Sequence, residues 1–190
     1  MKLLGSYQIN LEKQKVWEAL NDAEILRKSI PGCEKFIKNS DTEFTATATN
    51  KIGPFNASFT GDILLKEIKA PNSYIIQGSG NSPVGFASGE AKVKLADSEG
   101  STTKLFYEVE VNVGGKIAQI GSRLIDMTAK KMADIFFGKF SELISSQNIS
   151  NESRNNEKNK KQKTLNKINN KKFIYILLLV LLAITSYFII

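Results

Sequence analysis

Between residues 34 and 113 the dominant pattern is apolar side chains at every second position, in runs separated by turns with no helix between them. Phe55, Ala57, Phe59, Gly61, Ile63 and Leu65 fall on one strand face, with Asn56, Ser58, Thr60 and Asp62 on the other. Gly89, Ala91, Val93 and Leu95 alternate with Glu90, Lys92 and Lys94, and Thr103 to Val113 alternates in the same way. Shorter candidates are Glu34–Lys38, Glu43–Thr49 and Ser73–Gly78, with one further strand, Leu3–Ile9, near the start. Turn signals separate them at Asn39-Ser40-Asp41, Gly53-Pro54, Pro71-Asn72 and Asp97-Ser98-Glu99-Gly100. Successive strands without intervening helices form an antiparallel meander, and a sheet of this length with one apolar face must curl or be covered.

Two helical regions can cover it. Glu12 to about Leu26 carries Val16, Trp17, Leu20, Ile25 and Leu26, and must stop before Pro31-Gly32. The second runs from Gly114-Gly115 to about Ile144. Its apolar positions, Ile117, Ile120, Leu124, Met127, Met132, Phe136, Phe140 and Leu143, are mostly three or four apart. The expected fold is α+β with a helix-grip shape: a curved antiparallel sheet of about seven strands wrapped on a long C-terminal helix. Inward strand positions are small at Ala46, Ala48, Ala57, Gly61, Gly89 and Ala91. They can leave a cavity lined by Phe55, Phe59, Phe86 and Phe136, with Trp17 as a further wall and Pro31 and Gly32 at the mouth. Filling of that space by the bulky helix side chains is an equally open reading of the pattern, and Trp17, an aromatic at helical spacing, reads first as plain core. Gly78-Ser79-Gly80 lacks the Lys-Ser/Thr pair of a phosphate loop and reads as turn or bulge glycine.

The net charge of +7 is unevenly placed. Residues 151–172 hold eight basic side chains against Glu152 and Glu157, leaving the first 150 residues at only +1. Phe173 to Ile190 follow with eighteen uncharged residues, a length that as a helix spans about 27 Å. A basic flank beside an apolar span fits a cytoplasmic membrane border better than a nucleic-acid site. The expected organisation is a domain over 1–146, a basic linker over 147–172 and a single-pass membrane anchor over 173–190, the domain lying in the cytoplasm. No secretory leader is visible at the N-terminus, where Gln8, Asn10, Glu12 and Lys13 break any apolar run.

Catalytic chemistry finds little to work with. The chain has no His, so no imidazole base and no His-containing metal site is available. Cys33 is the sole cysteine and reads as a small apolar residue. Asp22, Glu24, Glu34 and Asp62 are the remaining acid–base candidates, and each reads first as a solvated carboxylate on a strand edge or helix turn. No catalytic set, metal site or covalently bound cofactor is expected.

Several stretches together resemble the CoxG family of carbon monoxide dehydrogenase proteins. They are Val16-Trp17-Glu18-Ala19-Leu20-Asn21-Asp22, Ile30-Pro31-Gly32-Cys33-Glu34, Ile52-Gly53-Pro54-Phe55, Gly89-Glu90-Ala91, and Val113 through Arg123, which opens V-G-G-K-I-A. The resemblance covers nearly all of residues 1–144. It implies a START-like, polyketide-cyclase-like domain with a hydrophobic cavity between sheet and helix. It further implies service to a molybdenum hydroxylase of the carbon monoxide dehydrogenase type at the membrane, by presenting a quinone-like or isoprenoid ligand or by recruiting the enzyme as a scaffold. A cyclase or hydrolase of the same superfamily is the remaining implied alternative. The family's Pro/Ala-rich linker is replaced here by a Lys/Asn-rich one.

Overall fold

The structure, a computed structural model, describes residues 1–147. The basic linker and the apolar segment 173–190 expected as an anchor lie outside the described residues, apart from Gln147 itself. Among the described residues no helix is long and apolar enough to cross a membrane.

Seven strands form one sheet: β1 (Lys2–Ile9), β2 (Cys33–Lys38), β3 (Glu43–Ile52), β4 (Phe55–Lys69), β5 (Ser73–Ser82), β6 (Gly85–Ser98) and β7 (Thr102–Gly114). Their order is β1-β7-β6-β5-β4-β3-β2, every neighbouring pair antiparallel. The meander is therefore the expected one, and β1 closes it by pairing with the last strand rather than with β2. Two short helices, α1 (Lys13–Ala19) and α2 (Ala23–Ser29), bridge β1 and β2. After β7 come a 3₁₀ turn, Lys116–Ile120, and the long helix α3, residues 122–147.

Four details depart from the pattern read in the sequence. The expected helix over 12–26 is two helices. Asn21 Nδ2 donates to the Trp17 carbonyl at 2.8 Å, and the Asp22 carboxylate accepts from the Glu24 and Ile25 amides at 2.8 and 2.9 Å, so one helix ends and another is capped within two residues. The expected helix from Gly115 onward begins only at 122, because Gly121 sits at φ +89° and breaks the ladder. Within α3 the step of five from Met127 to Met132 is too long for one face: Met132 turns to the sheet as expected, together with Ile125 and Ala129, while Leu124 and Met127, expected inward, are 40 and 61 % exposed. Gly78 and Gly80 are neither turn nor bulge but paired residues within β5, opposite Gly89 and Ala87. The β5–β6 hairpin turns later, at Pro83-Val84.

The core lies at one end of the sheet–helix sandwich. Ile9, Val16, Leu95, Leu105, Phe140 and Ile144 are all at most 4 % exposed there, in one contiguous cluster. Phe140, with no exposed surface, anchors the C-terminal half of α3, and burying such a ring contributes roughly 2–3 kcal/mol. Among the described residues nothing comparable fills the other end.

Candidate functional site

The unfilled end follows from the register. On the inner face Val111 lies opposite Gly89, Gly89 opposite Gly78, and Gly78 opposite Ile63. In the next row Val113 faces Ala87, then Gly80, Gly61 and Ala46. The middle of both rows has almost no side chains. A Cβ at Gly61 would overlap the Ser79 carbonyl and one at Gly89 the Glu110 carbonyl, so the close approach of these strands excludes any larger residue. Opposite this floor, α3 presents the small residues Thr128, Ala129 and Ala133 before Phe136 begins the packed end. Small against small leaves a cavity of about 630 Å³, a size that suits one drug-sized molecule. The bulky residues of α3 thus fill one half of the space beneath it and leave the other open.

The walls are almost entirely apolar: Leu26, Ile30, Ile63, Ile76, Val109 and Ile125 are representative. The few polar side chains among them are mostly committed. Asn50 Nδ2 donates to the Pro31 carbonyl at 3.0 Å, and Thr128 Oγ1 donates to the Leu124 carbonyl at 2.8 Å. The Tyr107 ring lies over Gly5, where a Cβ would collide with its phenol. It belongs to an aromatic wall with Tyr7 and Phe137, the latter two stacked at 4.0 Å between centroids, and the Tyr7 hydroxyl donates to Asp134 Oδ1. Burial raises both phenols above their ordinary range, with the Asp134 carboxylate adding to it. Tyr74 differs. It is 4 % exposed, lines the cavity, and its hydroxyl has no hydrogen-bond partner among the described residues, while burial alone pushes its phenol upward. The buried side-chain oxygen left without a partner among the described residues is Asp126 Oδ1, so the Tyr74 hydroxyl borders the open space of the cavity and is not sealed in hydrocarbon.

Of the residues singled out in the sequence, Phe59, Phe136 and Pro31 lie on the cavity wall, and Trp17, Phe55, Phe86 and Gly32 do not. Phe86 shares parity with Ser88 and Glu90, so the alternation that turns Ala87 and Ala91 inward turns Phe86 outward, 44 % exposed over Gly114. Trp17 packs edge-on against Tyr74 at 5.2 Å and supports the wall from behind. Phe55 pairs with Ile52 at the very tip of the β3–β4 hairpin, and of that pair only Ile52 reaches the space. Gly32 adopts φ +66°, and its carbonyl accepts from the Thr49 amide at 2.9 Å, so it shapes the loop behind Pro31 instead of edging the cavity. Tyr74, Ala129 and Ala133 were missed. Tyr74 was legible as the period-two partner of Ile76, and the two alanines as a four-residue spacing of small side chains.

The four candidate carboxylates each have a partner of their own. Asp22 caps α2, Glu24 pairs with Arg27 at 3.1 Å, Glu34 accepts from Thr49 Oγ1 at 2.7 Å, and Asp62 accepts from Thr45 Oγ1 at 3.0 Å. None of the four lies on the cavity wall. Cys33 is half-buried, and burial raises its thiol above the usual range.

Known structures share this architecture. A conserved protein from Geobacillus kaustophilus superposes with a TM-score of 0.73 at 28 % identity, over 77 % of this chain and 96 % of that one. The Zhui aromatase/cyclase from Streptomyces sp. R1128 gives 0.57 at 11 % identity, over 76 and 93 % of the two chains. A truncated norcoclaurine synthase from Thalictrum flavum gives 0.55 at 14 %, over 76 and 92 %. The last two show the fold alone, a polyketide-cyclase-like helix grip. No curated protein matches the chain. Residues 5–145 match the CoxG family of carbon monoxide dehydrogenase subunits, a span that takes in the cavity apart from Met1 and Leu3 and nearly all of the sheet and α3. By that match, the chain belongs to the CoxG family.

Proposed function

We propose that this protein is a non-catalytic binding module that takes one apolar molecule, of the quinone or related isoprenoid class, into the cavity under α3. In this reading it serves a molybdenum hydroxylase of the carbon monoxide dehydrogenase type. Residues 173–190 hold it at the cell membrane with the domain on the cytoplasmic side. The observation that carries the reading is the 630 Å³ space lined almost wholly by hydrocarbon, with the Tyr74 hydroxyl unpartnered in its wall. An apolar ligand would gain the burial that the sheet's glycine rows leave unused. One carbonyl or hydroxyl oxygen on it would complete Tyr74. Membership of a family named for carbon monoxide dehydrogenase supports the choice of partner.

Native mass spectrometry of the full chain, extracted from membranes in mild detergent, tests this. A bound species with the mass of an isoprenoid quinone is expected. A chain that carries no adduct and fails to bind added decylubiquinone refutes the reading.

The second reading, a recruitment scaffold without ligand transfer, draws on the outer sheet face. Lys92 and Lys94 stand exposed there, in register with Glu108 and Phe106, and beside Leu4, which is 67 % exposed. Lys92→Glu with Lys94→Glu would abolish enzyme recruitment under the scaffold reading. Under the transfer reading, filling the cavity would abolish function while recruitment persists.

A further inference from the structure

The open end of the sandwich is built from three pieces that meet. The β3–β4 hairpin tip touches the start of α3: a Cβ on Gly53 would lie 3.3 Å from Leu124 Cδ2 and 3.5 Å from Ile120 Cδ1. The β5–β6 hairpin receives the 3₁₀ turn, whose Ile117 amide donates to the Val84 carbonyl at 3.0 Å. Ile52, Ile117 and Ile125 from these same pieces line the cavity, so this rim borders the candidate site. Outward it shows Met127, 61 % exposed, and Leu124, 40 % exposed.

The charge around them is one-sided. Across residues 50–54, 83–86 and 115–131 the basic residues are Lys51, Lys116, Arg123, Lys130 and Lys131, all exposed, and the acidic residue is Asp126 alone. The first 150 residues together are nearly neutral, so the cations are concentrated at this end and the remainder of the domain is net acidic. Apolar side chains ringed by Lys and Arg are the composition that an anionic lipid surface attracts and then buries.

We propose that this rim is the docking face for an anionic bilayer, seating Met127 and Leu124 at the level of the headgroups with the cavity opening against the lipid. The proposal rests on the function above for its use, since docking in this orientation lets an apolar ligand pass between bilayer and cavity without crossing water. It stands separately as a statement about orientation: the domain lies rim-down, whatever else tethers it.

Tryptophan quenching by brominated lipid measures that orientation in the full chain reconstituted into vesicles. Two variants keep Trp17 and differ only in the added reporter. Met127→Trp places it on the rim. Ile68→Trp places it at another exposed position, 44 % accessible, thirteen residues along β4 from Phe55 and thus roughly 40 Å from the hairpin tip. Any tether acts on both equally. In vesicles containing phosphatidylglycerol, Met127→Trp is expected to be quenched at least about twofold more than Ile68→Trp. The difference should shrink in phosphatidylcholine vesicles or at 1 M salt, where the screening length falls to about 3 Å. Equal quenching of the two reporters overturns the docking face. So does a Met127→Trp reporter that responds only to added enzyme or to protein concentration, which would assign the rim to a protein partner or a second copy. Decylubiquinone titration in detergent is the separate readout for the cavity. No binding with the quenching difference intact refutes the proposed function alone, and binding with equal quenching refutes the docking face alone.

Discussion

Ala91→Phe is the sharpest test of whether the space under α3 is open. Ala91 lies on the inner face of β6, between Val109 on β7 and Ile76 on β5, and all three line the cavity. A phenyl ring there adds roughly 100 Å³ of side chain, about a sixth of the 630 Å³. It also removes roughly 100 Å² of new apolar surface from water, worth at most about 2.5 kcal/mol at 25 cal/mol/Å². Ordering the ring costs about 0.5–1 kcal/mol, so the net expectation is a gain of about 1–2 kcal/mol, and a strand position tolerates the residue. Ala57→Phe is the contrast. Ala57 is 3 % exposed and off the cavity wall, so the same change overpacks its site and costs about 1–3 kcal/mol.

Urea unfolding in detergent, followed by the fluorescence of the single Trp17 against Tyr74, reads both changes. Decylubiquinone at a hundredfold its dissociation constant should stabilise the parent chain by about 2.7 kcal/mol. Ala91→Phe should lose most of that increment, because the ring occupies ligand space, while Ala57→Phe should keep it. Opposite signs for the two substitutions in the ligand-free protein are the key result. If Ala91→Phe is destabilised as much as Ala57→Phe, the cavity is closed by side chains in solution and the binding reading fails with it.

At the packed end, Phe140→Ala should cost about 3–5 kcal/mol, since the ring has no exposed surface; a loss below about 1 kcal/mol in the urea midpoint would show that α3 is not anchored there. Gly32→Ala should cost about 1–3 kcal/mol, because a side chain at φ +66° is strained and would meet the Thr49 carbonyl; an unchanged midpoint would contradict the loop geometry. Alkaline pH should destabilise the domain. Tyr7, Tyr74 and Tyr107 all have folded-state values raised above the usual 10, with burial as the first cause, so folding favours the neutral phenols. That contribution is fully present below pH 10 and is lost as pH rises from there toward the folded values. Urea midpoints between pH 8 and 11 should fall less steeply in Tyr74→Phe than in the parent, and parallel slopes would refute the assignment.

Strand order was legible because period two is a local signal, and the alternation in 55–65, 89–95 and 103–113 sorts inner from outer residues correctly throughout. Phe86 shows how far that signal reaches: its aromatic character suggested the cavity, yet its parity with Glu90 already placed it outside. Gly78-Ser79-Gly80 has the composition of a turn, but a strand in the middle of a sheet needs only its backbone. The use of these glycines appears only when Gly78 meets Gly89 and Gly80 meets Gly61. Such pairings join residues on separate strands, and a bare floor made of them has no mark in any one segment. The helix failed for a local reason. Leu124 and Met127 stand eight and five residues before Met132 on one unbroken helix, spacings that leave them off the face Met132 turns to the sheet, while the positive-φ Gly121 uncouples that helix from Ile117.

The same glycine bears on how a ligand gains access. The C-terminal half of α3 is held by Phe136 stacked on Phe140 at 5.7 Å and by Ile144 in the core. The N-terminal half lies over a void, and a Cβ at Gly121 would touch nothing within 4 Å. Stability should therefore fall along one helix from its packed half to its hollow half, because local opening is cheapest where few apolar contacts are lost. Under the proposed function a ligand enters where the hollow half lifts, a motion that a bend at Gly121 would permit without disturbing Phe140. Amide hydrogen exchange can resolve the two halves: residues 125–133 should exchange at least about tenfold faster than residues 136–144 in the ligand-free chain, and saturation with decylubiquinone should narrow that gap. Uniform protection along α3, unchanged by ligand, would mean that the helix moves as one rigid piece, and access would then have to come from the hairpin tips at Ile52 and Val84.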